Sequence, residues 1–178
     1  MSIIGIYGPV SSGKLTTAKE VSEQLNYALF DNHAVNDVLA PIFRYDQPEL
    51  NEERILLSRR FRYDVFESTL KTKAPVVITF NYGGLGGLNL CRKLVELSKK
   101  YNEPVYFVHL VPEKSALYER VVNPSRKNKV NATERLDELL AIEGYGYDTF
   151  PDVEHLQLDN TNLSPAQSVR AIKEYYGI

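Results

Sequence analysis

The chain has 178 residues, of which 43% are hydrophobic and 25% charged, and its formal net charge is −2. A chain of this length can bury one good core, so we expect a single domain over residues 1–178. The slight acidity disfavours a protein that binds nucleic acid or a membrane surface. The sequence has no long apolar run, so we expect neither a signal peptide nor a transmembrane helix. The lone cysteine, Cys91, cannot form an internal disulfide, which is typical of a protein of the reducing cytoplasm.

The first element is a short apolar strand at residues 2–7, followed by the loop Gly-Pro-Val-Ser-Ser-Gly-Lys at 8–14 and a helical pattern at 13–25. In this order, glycines let the backbone approach a polyphosphate, and loop amides and the helix N-terminus hold its oxygens. The lysine, Lys14, would reach the outer phosphates. The sequence therefore predicts an ATP-binding phosphate loop with these nucleotide contacts: Gly8, Val10, Ser11, Ser12, Gly13, Lys14, Leu15 and Thr16.

One position of the loop departs from the common pattern. Lys14 is followed by Leu15, where such loops usually have Ser or Thr to ligate magnesium. Hydroxyl groups follow at Thr16 and Thr17. We therefore expect magnesium to be held through water, by Thr16 and by Asp31 further along the chain.

The remaining chain alternates short β-branched or aromatic runs with longer segments of helical spacing. Alternating strands and helices predict an α/β fold, in which a five-stranded parallel sheet is covered by helices on both faces. The predicted strands after the first are 27–30, 75–80, 104–111 and 154–158, and the predicted helices after the first are 33–43, 51–71, 88–101, 114–122, 133–142 and 164–176.

Asp31 directly follows the second predicted strand. Ligands of parallel α/β sheets bind at the carboxyl ends of the strands, so Asp31 is a candidate general base or magnesium ligand. The structural alternative is a helix N-cap, because Asp is favoured there. His33, two residues later, is open to three interpretations: a base, an acceptor ligand or a residue of the first helical turn.

A second glycine cluster, Gly83, Gly84, Gly86 and Gly87, follows the third strand. Glycines at this end of a parallel strand allow a ligand to approach the backbone closely. Gly83 and Gly84 are therefore candidate acceptor contacts. A simple turn into the next helix is the equally weighted alternative.

These features together resemble the small P-loop phosphotransferases, which include shikimate kinase, gluconate kinase, adenylate kinase and chloramphenicol phosphotransferase. The resemblance rests on the phosphate loop, Leu29-Phe30-Asp31, the glycine cluster and the segment 117–126. The stretches 29–33 and 120–126 are also similar to a bacterial group of kinase-like ATP-binding proteins. In element order the resemblance covers nearly the whole chain, and it implies a three-layer P-loop NTPase fold with a small lid.

The resemblance also implies roles for arginines. It puts a lid at about residues 120–134, whose Arg120 and Arg126 would close over the transferring phosphoryl group and neutralise its charge. It puts an acceptor-binding helical region at about residues 33–73. There Phe61-Arg62 resembles the pair by which shikimate kinases grip an acidic acceptor, so Arg62 is the predicted acceptor anchor, whereas Arg59 and Arg60 are interpreted as solvated charge.

Two further positions bear on the resemblance. Shikimate kinases have Asp-x-Asp after the second strand, but this chain has His33 in place of the second acid, which disfavours shikimate as the acceptor. The segment 159–164 after the last strand corresponds to a turn near the adenine, where family members supply mostly backbone contacts.

The sequence thus predicts an ATP- and magnesium-dependent kinase whose partner is a small hydroxylated or anionic metabolite. Its catalytic candidates are Lys14, Asp31, Arg120 and Arg126. One alternative is a kinase of the same fold that acts on a nucleoside, a nucleotide or an antibiotic. Another is a nucleotide-binding regulatory protein without transfer activity, which Leu15 and the missing second carboxylate favour. Acceptor identity and oligomeric state stay open.

Overall fold

The computed structural model describes residues 3–81, 84–123, 133–142, 146–151 and 153–178. Within these ranges strands and helices alternate along the chain. Their bounds are β1 Ile3–Tyr7, α1 Lys14–Leu25, β2 Ala28–Phe30, α2 Asn32–Leu39, α3 Pro48–Thr72, β3 Val76–Phe80, α4 Gly84–Tyr101, β4 Val105–Leu110, α5 Lys114–Val121, α6 Thr133–Leu140, β5 His155–Leu158 and α7 Pro165–Tyr176.

The strands form one five-stranded sheet in the order β2-β3-β1-β4-β5, and every pairing is parallel. All residues of β1 and β3 are buried, as expected for strands covered on both faces. The prediction of a five-stranded parallel α/β sheet is confirmed. Because all strands run in one direction, their carboxyl ends share one edge of the sheet, where the loops after β1, β2 and β3 meet.

The core is divided by the sheet into two layers. Alternate residues of β1 point to opposite faces, so Ile3 and Tyr7 lie in one layer and Ile4 and Ile6 in the other. The first layer is filled by α3 and α4 and includes Phe66, Leu70, Cys91, Leu94 and Leu97. The second is filled by α1 and α7 and includes Ala18, Val21, Val169 and Ile172. Packing on both faces of the sheet therefore holds its strands in place.

Helices α2 and α3 differ from their predicted bounds. Helix α2 ends at Leu39 instead of residue 43. Pro41 explains the early end, since its ring clashes with the preceding turn and it has no amide N–H to donate. Helix α3 begins at Pro48, three residues before the predicted start. Proline suits this first turn, where an amide N–H would have no helical partner.

Helix α4 also begins earlier than predicted, at Gly84 instead of residue 88. The interpretation of residues 84–87 as a turn was therefore wrong. None of these glycines has a positive φ angle, so they adopt ordinary helical backbone, at a cost of about 1 kcal/mol each relative to alanine. Gly83 lies outside the described residues. A contact of Gly84 with an acceptor stays a prediction.

The first two residues of the segment predicted as a lid, 120 and 121, are helical. Helix α5 continues through Val121, so Arg120 lies on a helix and not in a loop. Residues 124–132, with Arg126, lie outside the described residues. In the part of the chain that is described, no helix is both long and apolar enough to cross a membrane.

Candidate active site

The phosphate loop joins β1 to α1 and depends on glycine at both ends. Gly8 and Gly13 have φ angles of 148° and 92°, a region that favours glycine. A Cβ atom at Gly8 would lie 2.4 Å from the carbonyl oxygen of Leu110, so the loop passes directly over the end of β4. Gly13 immediately precedes the first residue of α1. The backbone is thus curled around the N-terminus of that helix.

The interior of the loop fits an anion. The hydroxyl oxygens of Ser11 and Ser12 are buried and have no hydrogen-bond partner among the described residues. A buried polar group without a partner costs about 1–3 kcal/mol, which hydrogen bonds to phosphate oxygens would remove. The first turn of α1 has no side-chain cap, so its amides can also donate to an anion.

Lys14, the first residue of α1, folds back over the loop. Its Nζ atom donates to the carbonyl oxygens of Gly8 at 3.0 Å and Pro9 at 2.7 Å. The ammonium group is therefore held at the mouth of the loop, where it can exchange carbonyl oxygens for phosphate oxygens. Contact of Lys14 with the outer phosphates stays a prediction.

Two side chains from the second half of the chain hold the loop at Ser12. The Nδ2 atom of Asn160 donates to the carbonyl oxygen of Ser12 at 2.8 Å, and Nη1 of Arg120 donates to the same oxygen at 3.3 Å. The Nη2 atom of Arg120 also donates to the carbonyl oxygens of Asn160 and Thr161, at 2.8 and 3.0 Å. Arg120 thus joins the phosphate loop to the turn after β5, which the sequence assigned to the adenine side.

Asp31 lies between the last residue of β2 and the first residue of α2. Its Oδ1 atom accepts hydrogen bonds from the backbone amide of His33 at 3.3 Å and from Oγ1 of Thr79 at 3.1 Å. Asp31 therefore caps α2, as the structural alternative predicted. Its second oxygen, Oδ2, has no partner in the described part of the chain, so the cap leaves this oxygen available for chemistry.

The register of the sheet gives the position of Asp31 relative to the loop. Phe30 pairs with Ile78, and Thr79 pairs with Ile6 of β1. Asp31 is therefore level with Ile6, two residues before the phosphate loop begins. Since β3 lies between β2 and β1, two strand spacings of about 10 Å in total separate these two chain segments.

One face of α3 is directed toward the junction of β2 and α2. This face is formed by residues at intervals of four, Arg54, Ser58, Arg62 and Phe66. Phe66 packs edge-on against Phe30, with 5.7 Å between ring centroids, and Oγ of Ser58 donates to Oδ1 of Asn36 on α2 at 3.4 Å. Arg62 lies midway between these two contacts along α3 and is half-buried. His33 is exposed.

No protein-family model matches the chain. A cytidylate kinase from Colwellia psychrerythraea is 35% identical over 77 residues, which are 43% of this chain and 34% of that protein, so the chain spans about a third of its length. A solved sugar kinase from Janibacter sp. HTCC2649 is 19% identical, with 100% of this chain and 95% of that chain covered at a TM-score of 0.69. Shikimate kinase from Bacteroides thetaiotaomicron is 15% identical, with 99% of both chains covered at a TM-score of 0.64.

The fold is that of the P-loop kinases.

In a P-loop kinase fold, magnesium keeps several waters and is held by one or two protein groups together with the phosphates of the substrate. The described residues contain no group of three or more His, Cys, Asp or Glu side chains that could hold a metal ion. Thr16 is exposed in the first turn of α1, and Asp31 offers Oδ2. Water-mediated contact of both with magnesium stays a prediction.

The sequence did not indicate the contacts of two buried side chains, one of which binds the phosphate loop and the other α2. Asn160 is 5% exposed and binds the phosphate loop from a position 148 residues away. Arg54 is 7% exposed on the same face of α3 as Arg62. Only Arg54 has a signal in the sequence, namely its spacing of eight residues from Arg62.

Proposed function

We propose that the protein transfers the γ-phosphoryl group of ATP, in the presence of magnesium, to a hydroxyl group of a small hydroxylated or anionic metabolite. One observation carries the proposal. A loop with unpartnered buried hydroxyls and a folded-back lysine shares a sheet edge with a carboxylate whose Oδ2 atom is available, that of Asp31. We expect the protein to act in the reducing cytoplasm, where the buried free thiol of Cys91 would stay reduced.

Phosphoryl transfer needs positioning, charge neutralisation and exclusion of water more than covalent catalysis. A bond forms between the acceptor oxygen and the γ-phosphorus, the bond from that phosphorus to the β–γ bridging oxygen breaks, and the acceptor proton passes to Oδ2 of Asp31. Lys14 and the loop amides hold the donor phosphates, and Arg62 holds the acceptor. Arg126, in the proposed lid, neutralises the transferring group. Magnesium, when bound, would neutralise phosphate charge.

ADP formation with a panel of acceptors tests the proposal. The panel contains sugar acids, sugars, nucleoside monophosphates and aminoglycosides, each with ATP and magnesium. Lys14→Ala should abolish ATP binding, whereas Lys19→Ala, an exposed lysine of the same helix, should not. Asp31→Asn should keep ATP binding and lower kcat by about 10²–10⁴-fold, because it removes the proton acceptor. The exposed Asp37 of α2 is the matched control through Asp37→Asn. If Asp31→Asn keeps full turnover, Asp31 serves only as the N-cap of α2.

A nucleoside monophosphate is a second candidate acceptor, which the 35% identity with cytidylate kinase over 77 residues favours. The same assay separates the two candidates. If CMP or another monophosphate gives the highest kcat/KM of the panel, this second candidate replaces the first. If ATP binds tightly but no acceptor stimulates ADP formation, the protein is a nucleotide-binding regulator, as Leu15 after the loop lysine would favour.

A further inference from the structure

Helix α3 has an exposed face along its first half, which we call the outer face of α3. Its members are Glu49, Glu53, Leu56 and Arg60, which follow one another at helical intervals and are all exposed. This face lies opposite to the side of α3 that packs into the core. Leu56, at its centre, is 49% exposed and lines a groove of 610 Å³ together with Leu57 and Tyr63. The outer face thus has an apolar centre and a charged rim, the arrangement of many protein–protein interfaces.

The charges on both sides of Leu56 are not neutralised within the chain. Glu53 and Arg60 belong to none of the ion pairs in the described ranges, and neither do their neighbours Glu52 and Arg59. The glutamate and the arginine of each pair are seven residues apart, about 10 Å along the helix. Side chains on one helix meet at intervals of three or four residues, so these charges are too far apart to pair with each other. They are therefore available to a partner outside the chain.

The order of these charges is complementary to itself. The glutamates precede Leu56 and the arginines follow it, and Leu56 lies within half a residue of the midpoint of both pairs. An antiparallel copy of α3 related by a two-fold axis at Leu56 would therefore bring each acidic half beside the basic half of the other copy. On one flank of the helix Glu53 comes level with Arg60 of the other copy, and on the other flank Glu52 comes level with Arg59. One axis thus satisfies both kinds of pair.

We propose that the outer face of α3 binds a second copy of this chain, so that the protein forms a two-fold symmetric dimer in which antiparallel α3 helices meet at Leu56. The inference goes beyond the proposed function and does not depend on it. Contact between the two Leu56 side chains removes apolar surface from water, and the Glu–Arg pairs at the rim set the antiparallel orientation. Exposed ion pairs contribute little energy each and are screened by salt. We therefore expect a weak dimer whose affinity falls as the salt concentration rises.

Sedimentation equilibrium of the full chain over a range of concentrations tests the proposal. The wild type should change reversibly from monomer to dimer as its concentration increases. Glu53→Arg and Arg60→Glu each place like charges beside one another at two symmetry-related contacts, so each should weaken the dimer by about tenfold or more. In an equimolar mixture of the two variants, one copy has only positive and the other only negative charge at these positions. The mixture should therefore associate at concentrations at which each variant alone is monomeric.

Matched controls separate this interface from a general effect of charge. Glu23→Arg on α1 and Arg170→Glu on α7 make the same changes at exposed positions of other helices and should dimerise as the wild type does. Leu56→Asp should prevent association, since it places two carboxylates at the axis. Circular dichroism of every variant verifies that its helical content is retained.

Three results would overturn the inference. The first is a wild type that stays monomeric up to millimolar concentration, which would leave the outer face to a different partner or to solvent. The second is a dimer whose affinity is unchanged by both charge reversals. The third is a mixture of Glu53→Arg and Arg60→Glu that associates no better than either variant alone. Because ADP formation is not part of this measurement, its outcome leaves the proposed kinase activity to be decided by the acceptor panel.

Discussion

Replacement of Arg120 by alanine tests whether this arginine supports the phosphate loop or acts on the transferring group. Its Nη2 atom makes hydrogen bonds of 2.8 and 3.0 Å to the turn after β5, and its Nη1 atom a longer one to Ser12. Hydrogen bonds from a charged donor contribute about 1.5–3 kcal/mol each, but Arg120 is half-buried and water can replace part of this energy. We expect Arg120→Ala to lower the free energy of unfolding by about 2 kcal/mol.

For a chain of 178 residues, this loss corresponds to a decrease of about 4–8 °C in the unfolding temperature. The loop should also become less ordered, so the affinity for ADP should fall about tenfold, while kcat at saturating ATP changes less. Thermal unfolding, calorimetric titration with magnesium and ADP, and steady-state kinetics measure the three effects. The control is Arg170→Ala, an exposed arginine of α7, which should change the free energy of unfolding by no more than about 0.5 kcal/mol.

A different outcome would refute this reasoning. If Arg120→Ala keeps its unfolding temperature and its ADP affinity but loses turnover, the arginine acts on the transferring phosphoryl group, as the resemblance to small kinases implied. The contacts to three carbonyl oxygens would then be irrelevant to the nucleotide site.

Three further predictions concern the supports of the site. Thr79→Val removes the hydroxyl that donates to Asp31, so kcat should fall about tenfold with ATP affinity unchanged, as steady-state kinetics would measure. Gly146→Ala should weaken ADP binding and lower the unfolding temperature, because its Cβ atom would lie 2.5 Å from Cα of Pro9 and its φ angle is 69°. Burial lowers the pKa of His109 from its usual 6.5. As the pH decreases below 6.5, His109 is therefore protonated in the unfolded chain before it is protonated in the folded protein. The free energy of unfolding should therefore fall as pH decreases below about 6.5, by up to about 1.4 kcal/mol per pH unit, and His109→Gln should flatten this dependence in denaturant unfolding.

Each of these predictions has a matched control in the chain. Thr72 is exposed in the last turn of α3, so Thr72→Val should leave kcat unchanged. Among the described residues, no atom beyond the chain neighbours and backbone of α4 lies within 4 Å of a Cβ at Gly86, so Gly86→Ala should be neutral or slightly stabilising. His33→Gln, at an exposed position, should keep the pH dependence that His109 causes. Equal effects in a variant and its control would contradict the corresponding prediction.

The course of the phosphate loop between β1 and α1 could be predicted from the sequence because its determinants are local. Gly8, Gly13 and Lys14 lie within seven consecutive residues between a strand and a helix, and the conformation of each glycine is required by its immediate surroundings. The position of Asp31 was also accessible, since parallel strands bring their carboxyl ends to one edge. In both cases the geometry follows from element order alone.

The contacts of Asn160 and Arg54 could not be predicted from the sequence, because their partners are distant in sequence. Asn160 contacts Ser12 across 148 residues, and Arg54 contacts Asn36 across 18. An asparagine after the last strand has no local pattern that distinguishes a loop contact from a turn residue. The start of α4 was predicted four residues too late for a different reason. Glycine permits a turn but does not require one, and tertiary packing stabilises the helix at these positions.

Distant segments of the chain contact the phosphate loop at both of its ends. At one end of the loop Gly146 packs on Pro9, and its carbonyl oxygen accepts a 2.7 Å hydrogen bond from Nε2 of the buried His109. At the other end Ser12 is held by Asn160 and Arg120. An anion that orders the loop must therefore also order the segments after α6 and after β5. We infer that magnesium and ADP protect amides of residues 146–150 and 159–163 from hydrogen exchange, and that Gly146→Ala removes the first effect but keeps the second.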